Sequence, residues 1–152
     1  MVVDSIEREI VIEAPVDVVW SIVTEPEHVA RWFSDEAEID LRAGGDARVT
    51  WHREAGAFRV RIETVDPPHT FAYRWVRRPG VEPVAGNSTL VVFSLRAEGE
   101  HTRLRVVESG FTSLNWPEDD KAGYQAENVR GWALELDELR AYAAEVVGAA
   151  RR

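Results

Sequence analysis

A long amphipathic segment near the end of the chain constrains the fold more than any other feature. Between residues 121 and 147, apolar side chains recur at alternating spacings of three and four: Val129, Trp132, Leu136, Leu139, Ala143 and Val146. That spacing predicts one helix of about 40 Å, because each helical residue rises by about 1.5 Å. A stripe of this length needs a broad apolar surface to cover it.

The chain before this helix supplies such a surface as strands. From residue 36 to residue 109, apolar residues alternate with polar ones, as on a half-buried strand. Strands are predicted at 44–53, 57–68, 69–78, 87–99 and 100–109, divided by Gly- and Pro-containing turns. A run of antiparallel strands followed by one long helix indicates an α+β fold.

The first part of the chain adds one strand and two short helices. Residues 5–15 alternate as a further half-buried strand, which Pro15 ends. Residues 16–33 have helical spacing, and Pro26 divides them into two helices. We find no repeat or linker, and 152 residues suit one domain. We therefore expect a single domain over residues 1–152.

The charge balance argues against nucleic acid and anionic membranes as partners. The net charge is −9 at pH 7, whereas phosphate binding needs a concentrated positive surface. The chain has no cysteine, which excludes disulfides and Cys-ligated zinc. No segment has the pattern of a signal peptide or approaches the ~18 apolar residues of a membrane span. The expected location is cytoplasmic.

The residues that commonly carry metal or nucleophilic chemistry are scattered. The histidines fall on different predicted elements and lack metal-binding spacing: His28, His52, His69 and His101. No serine lies in a G-x-S-x-G context. We expect no metal site, no catalytic nucleophile and no cofactor.

Five segments together resemble the heat-shock-protein ATPase activator (AHSA-type) branch of the START-like, or SRPBCC, superfamily. They are, in chain order, "VWSIVTEPEHVARWF", "GGDARVTW", "VDPPHTFAYRW", "TRLRVVESGFTSL" and "NVRGWALELDELRAY". The resemblance runs from about residue 6 to residue 145. It implies a helix-grip fold, in which a strongly curved antiparallel sheet wraps around a long C-terminal helix and leaves a cavity between them.

Such a cavity would explain polar residues on the apolar side of the long helix. Gln125 and Asn128 share a face with Trp132, and Gly131 lies beside them. An unpaired polar group in a dry core costs about 1–3 kcal/mol, so we expect Gln125 and Asn128 to face water or a ligand. Gly131 would admit a neighbouring strand or loop. Alternatively, Asn128 bonds the adjacent loop and Gly131 only relieves a crowded contact.

Glu108 is the strongest individual candidate for the site. It continues the inward alternation of Leu104 and Val106, so its carboxylate is expected to point into the interior. An inward carboxylate is paired, raised in pKa or hydrated. Two interpretations remain open: Glu108 lines the cavity, or it pairs with an arginine such as Arg48 or Arg74.

Aromatic residues supply the remaining candidates, since small-molecule sites are lined mainly by apolar and aromatic side chains. For each of them the alternative is an ordinary core position. Trp116 lies in the loop before the helix, where it would act as a lid or a plug. The expected ligand-binding residues are Trp32, Phe33, Trp51, Tyr73, Trp75, Glu108, Phe111, Trp116, Gln125, Asn128 and Trp132.

Three functions remain open. We favour binding of a small hydrophobic or aromatic molecule, lipid- or polyketide-like, in an internal cavity. Some superfamily members resemble polyketide cyclases or aromatases, and catalysis of that kind would need an acid–base pair, here Glu108 with Tyr73 or His52. A co-chaperone role is disfavoured, because those co-chaperones carry a further N-terminal domain for which this chain has no room. The oligomeric state, including a homodimer, stays open.

Overall fold

The elements follow the predicted order. The computed structural model describes residues 2–151. Its strands are β1 Ser5–Ile12, β2 Glu36–Ile39, β3 Asp46–Thr50, β4 Phe58–Asp66, β5 Thr70–Val76, β6 Ser88–Glu98 and β7 His101–Ser109. Its helices are α1 Val16–Thr24, α2 Pro26–Trp32 and α3 Glu118–Ala150, and a short 3-10 turn, Phe111–Ser113, precedes α3.

The seven strands form one antiparallel sheet in the order β1-β7-β6-β5-β4-β3-β2. It is curved but not closed into a barrel. Inward residues of neighbouring strands face each other in register, as Phe93 does with Val106 and Tyr73 with Val91. These residues pack with α1, α2 and α3 in one core, so the predicted α+β helix-grip fold is confirmed.

α3 is longer than the predicted segment 121–147 at both ends. Pro117, with φ −58° and ψ 149°, immediately precedes its first residue, and the first turn contains Glu118, Asp119 and Asp120. Negative charge stabilises the positive end of the helix dipole, which explains why the acidic run joins the helix. The pattern missed this turn because its residues are polar.

One member of the predicted apolar stripe is misplaced. Val129 is 37% exposed, whereas the buried side of this half of α3 passes through Tyr124 and Trp132, with Asn128 between them. A residue next to Asn128 lies about 100° further around the helix. Val129 and Asn128 lie three and four residues before Trp132, so both fit a helical stripe. The prediction chose Val129 because it is apolar, and that choice was wrong.

The two halves of α3 lie in different surroundings. Its C-terminal half fills the main core with Leu136, Leu139 and Ala143, all fully or almost fully buried. Its beginning packs in a second cluster, where Tyr124 contacts the buried Phe111. The middle of α3, between these two packed regions, is therefore the part that can border a binding site. Among the helices of residues 2–151, none is both long and apolar enough to cross a membrane.

Candidate ligand-binding site

A small apolar cavity, which we call the inner cavity, lies between the sheet and α2. Its volume is about 40 Å³, which is room for about three water molecules at ~10–15 Å³ each. Small-molecule pockets usually measure roughly 300–1,000 Å³. The cavity is lined by Val23, Val29, Trp32, Phe33, Ile39, Ala47, Val49, Val60, Phe71, Tyr73, Trp75 and Phe93. Four of the predicted site residues thus border it: Trp32, Phe33, Tyr73 and Trp75.

A second space opens between α3 and the β3–β4 loop, residues 51–57. We call it the α3 cleft; its volume is about 140 Å³. It is bordered by Phe33, Trp51, Arg53, Trp75, Asn128, Gly131, Trp132 and Glu135. An adjoining space of about 160 Å³ shares Trp51, Arg53, Trp75 and Asn128 with it. The predicted residues Trp51, Asn128 and Trp132 therefore meet here, outside the inner cavity.

Phe33 and Trp75 border both the inner cavity and the α3 cleft, so their rings form the partition between the two. The two rings stack with centroids 5.9 Å apart. Trp132 lies 6.2 Å from Phe33 and 5.7 Å from Trp75, and Trp51 lies 5.1 Å from Phe33. Such pairs add about 0.5–1.5 kcal/mol each beyond burial. The partition consists of side chains, which can change rotamer.

Glu108 holds two of these indoles in place. The Trp75 Nε1 donates to its Oε2 at 2.9 Å, and the Trp132 Nε1 donates to its Oε1 at 2.9 Å. The Thr89 hydroxyl donates to Oε2 at 2.6 Å, and the Asn128 amide lies 3.0 Å from both oxygens. Since all four partners donate, Glu108 is a fully buried acceptor whose hydrogen bonds are satisfied without a ligand.

One of the two open interpretations paired Glu108 with an arginine, and among residues 2–151 no arginine takes part in this network. Arg74 instead pairs with Glu63 at 3.3 Å, and Arg48 is exposed on the outer face of β3. Pairing of Glu108 with either arginine was therefore wrong. The inward direction of Glu108 was correct, and indole, hydroxyl and amide donors replace the positive charge that sequence reasoning supplied.

The polar residues on α3 have different surroundings. Asn128 bonds Glu108 and also borders the α3 cleft. Gln125 instead donates from Nε2 to the carbonyl oxygen of Val3 at 2.7 Å in a partly exposed position, and it borders neither the inner cavity nor the α3 cleft. A Cβ at Gly131 would meet no atom within 4 Å. Within residues 2–151, no strand or loop comes close to this position, and the missing side chain leaves the α3 cleft open.

Phe111 and Trp116 lie away from both spaces. Gly110, at φ 99°, turns the chain after β7 into the 3-10 turn, and Phe111 is fully buried 5.8 Å from the Tyr124 ring. Trp116 packs 5.3 Å from Tyr124 and borders a separate surface cleft of about 210 Å³ with Arg77. The lid or plug expected of Trp116 is not found over the α3 cleft, because the loop packs on the beginning of α3.

Sequence reasoning missed Glu135, which borders the α3 cleft. Its Oε2 is buried and has no hydrogen-bond partner among residues 2–151. Burial and, to a smaller extent, the neighbouring Glu138 carboxylate raise the pKa of Glu135 to about 7, although the Arg53 guanidinium acts in the opposite direction. Glu135 lies four residues after Gly131 and therefore on the same side of α3. This spacing of four residues from a glycine inside the helix was the sequence signal that could have identified Glu135.

The acid–base pair considered for catalysis is not assembled. In the part of the chain that the structure describes, no hydrogen bond joins Glu108 to Tyr73 or to His52. The exposed His52 contacts Glu36 instead, with its Nε2 at 3.3 Å from the carboxylate. Residues 2–151 also contain no group of three or more histidine, aspartate or glutamate side chains that could hold a metal ion.

Comparison with known proteins places this chain in a family. No curated protein matches the chain by sequence. Among solved structures, MLL2253 from Mesorhizobium loti superposes with a TM-score of 0.74 at 20% identity, over 93% of this chain and 97% of that one. The Aha1 dimer from Colwellia psychrerythraea gives 0.72 at 18% identity, over 92% and 94%.

A third structure, DynU16 from the dynemicin biosynthetic locus, gives a TM-score of 0.70 at 26% identity and covers 92% of this chain. The present chain spans about half of DynU16, 47% of its length. The profile of the family described as "Activator of Hsp90 ATPase homolog 1-like protein" matches residues 13–144. With most of its length matched, and with the helix-grip fold that its motifs predicted, this chain belongs to the Activator of Hsp90 ATPase homolog 1-like family.

Proposed function

We propose that the chain binds a small hydrophobic or aromatic molecule in the α3 cleft, with the inner cavity as an extension of the site. The observation that carries this proposal is the aromatic partition: Phe33 and Trp75 separate two spaces that are both lined by aromatic side chains. An apolar guest in the cleft would contact Trp51 and Trp132 as well. Aromatic linings with a few polar groups are typical of small-molecule sites.

The volumes favour a compact guest. A dry protein cavity of ~150 Å³ accommodates benzene. The α3 cleft measures about 140 Å³, and the space that adjoins it measures about 160 Å³. These spaces suit a molecule of one or two rings in the present conformation. A longer lipid- or polyketide-like molecule would also need the inner cavity, and therefore an opening of the partition.

Phe33 is the part of the partition that we expect to move. The Trp75 indole is held by its bond to Glu108, whereas the Phe33 ring has no hydrogen-bonding group, is held by packing alone and is half-buried directly after α2. The Phe33 carbonyl accepts a bond of 2.8 Å from the Trp51 indole, which links the end of α2 to the β3–β4 loop. Rotation of the Phe33 ring would join the cavity to the cleft without breaking the Glu108 network.

DynU16 supports a small-molecule role, since it is encoded in a biosynthetic locus and is 26% identical to this chain over 92% of its length. The cyclase-like alternative lacks a reacting pair, because the buried Glu108 already accepts from four donors. The co-chaperone alternative rests on the family description, and an Hsp90 ATPase assay with and without the chain tests it. A homodimer stays a prediction, which light scattering tests.

The site can be tested by filling the cleft. Gly131→Leu places a side chain where a Cβ meets no atom within 4 Å, and leucine also favours a helix over glycine. We expect this variant to fold with unchanged or higher stability and to lose affinity for 2-naphthol at least tenfold. Gly123→Leu is the matched control, because Gly123 lies in α3, has the same open surroundings and does not border the cleft.

The location of binding is measured with the indole N–H signals in NMR spectra of the full chain. Binding of 2-naphthol in the cleft should shift the signals of Trp51, Trp75 and Trp132, while Trp20 and Trp116 serve as internal references. The proposal is wrong if Gly131→Leu binds 2-naphthol as tightly as Gly123→Leu does. Shifts confined to Trp20 or Trp116 would also contradict it.

A further inference from the structure

We infer that Glu135 is the polar anchor of the α3 cleft and that the cleft selects an aromatic molecule carrying a basic amine. This inference rests on the proposed function and specifies its ligand. Glu135 contributes a carboxylate to a site whose other walls are largely aromatic: Phe33, Trp51, Trp75 and Trp132. A protonated amine would supply the hydrogen bonds and the positive charge that this carboxylate lacks.

The first support is the unsatisfied oxygen. The Oε2 of Glu135 is buried, and no group within residues 2–151 donates a hydrogen bond to it. Buried polar atoms are normally paired, and an exception calls for a bound partner or another functional reason. Glu108, by contrast, is saturated and only positions the Trp75 and Trp132 rings. Glu135 is thus the carboxylate of this region that has capacity left for a ligand.

The second support is the arrangement of rings around Glu135. Aromatic faces attract cations within about 6 Å of the ring centre. Trp51 already shows this behaviour, since the Arg53 guanidinium lies 5.9 Å from its ring. Arg53 is 75% exposed and has its nearest acidic partner in Glu54, at 4.0 Å, so it leaves Glu135 unpaired. An amine on the ligand would combine the ring faces with the carboxylate in one contact.

The charged groups around Glu135 give the binding a pH dependence. Glu138 lies on the same helix, and Arg53 approaches from the β3–β4 loop. Burial, the largest cause, raises the pKa of Glu135 to about 7. A primary amine is protonated throughout the range from pH 6 to pH 8, whereas Glu135 gains a proton as pH falls through that range. Affinity for the amine should therefore fall from pH 8 to pH 6.

The experiment compares three probes of similar size by calorimetry on the full chain: 2-phenylethylamine, propylbenzene and 3-phenylpropionate. At pH 8 we expect the cationic probe to bind roughly tenfold more tightly than the neutral one, and the anionic probe to bind most weakly. Glu135→Gln should remove the preference for the amine, so that the variant binds 2-phenylethylamine no more tightly than propylbenzene. Glu145→Gln, an exposed position on the same helix, is the matched control and should keep the preference.

The outcomes separate the two proposals. If all three probes bind equally, or if Glu135→Gln keeps the amine preference of the wild type, the inference is wrong and the proposed function stands. A preference that does not weaken from pH 8 to pH 6 also contradicts the inference. If neither these probes nor 2-naphthol bind, the proposed function itself fails. Thermal unfolding of Glu135→Gln verifies that the variant is folded.

Discussion

At the scale of single residues, two glutamates distinguish the candidate site: Glu108 is buried and saturated, and Glu135 has an oxygen with no donor among residues 2–151. The first has a structural role, since it fixes the indoles of Trp75 and Trp132. The second is available to a guest. The same side chain thus has opposite roles, because the donors around it differ.

Glu108→Ala should destabilise the fold strongly. It leaves two indole N–H groups, the Thr89 hydroxyl and the Asn128 amide without their acceptor in a buried site. Each unsatisfied buried donor costs about 1–3 kcal/mol, so we expect a loss of at least ~3 kcal/mol in the free energy of unfolding, measured with urea. Thr89→Val removes a single donor and is the milder comparison. A loss below ~1 kcal/mol for Glu108→Ala would contradict the network.

At the scale of elements, α3 joins two packed regions through a middle stretch that borders the cleft. Its C-terminal half buries Leu136 and Leu139, and its beginning packs Tyr124 against Phe111. Between them, Gly131 borders the cleft and has no side chain to fill it. The glycine weakens the helix locally by about 1 kcal/mol relative to alanine, a cost that the proposed binding site would explain.

Gly131→Ala should therefore stabilise the chain by about 0.5–1 kcal/mol, since the new methyl group meets no atom within 4 Å. Gly45→Ala should do the opposite, because its Cβ would lie 2.1 Å from the Asp40 carbonyl oxygen. Thermal unfolding of the two variants measures the contrast. Equal effects of the two substitutions would show that the space around Gly131 is not open in solution.

At the scale of the whole molecule, acidic groups of two kinds determine how stability depends on pH. Burial raises the pKa of Glu135 to about 7, so the folded state binds a proton more tightly there than the unfolded state does. Hydrogen bonds from Thr112 and Arg103 lower the pKa values of Asp4 and Glu98, respectively. These two carboxylates, at or near the surface, favour the folded state only while they are ionised.

Stability should consequently peak at mildly acidic pH. As pH falls from 8 to about 5, protonation of Glu135 relieves its buried charge and the free energy of unfolding rises. Below about 4, protonation of Asp4 and Glu98 removes their contribution and stability declines. Urea titrations across this range measure the curve. Glu135→Gln should flatten the rise between pH 5 and pH 8, and an unchanged rise would assign it to other groups.

The sequence by itself determined the elements and their order, because periods of two and of 3.6 residues record which side of each element is buried. It also placed Glu108 inside, since side chains alternate along a strand. Only the tertiary structure decided what those residues meet. The donors of Glu108 come from three other elements, β5, β6 and α3, and the lack of a donor at Glu135 depends on every neighbouring segment. Hydrogen-bond partners and cavity volumes are set by distances between elements, and no local pattern encodes those distances.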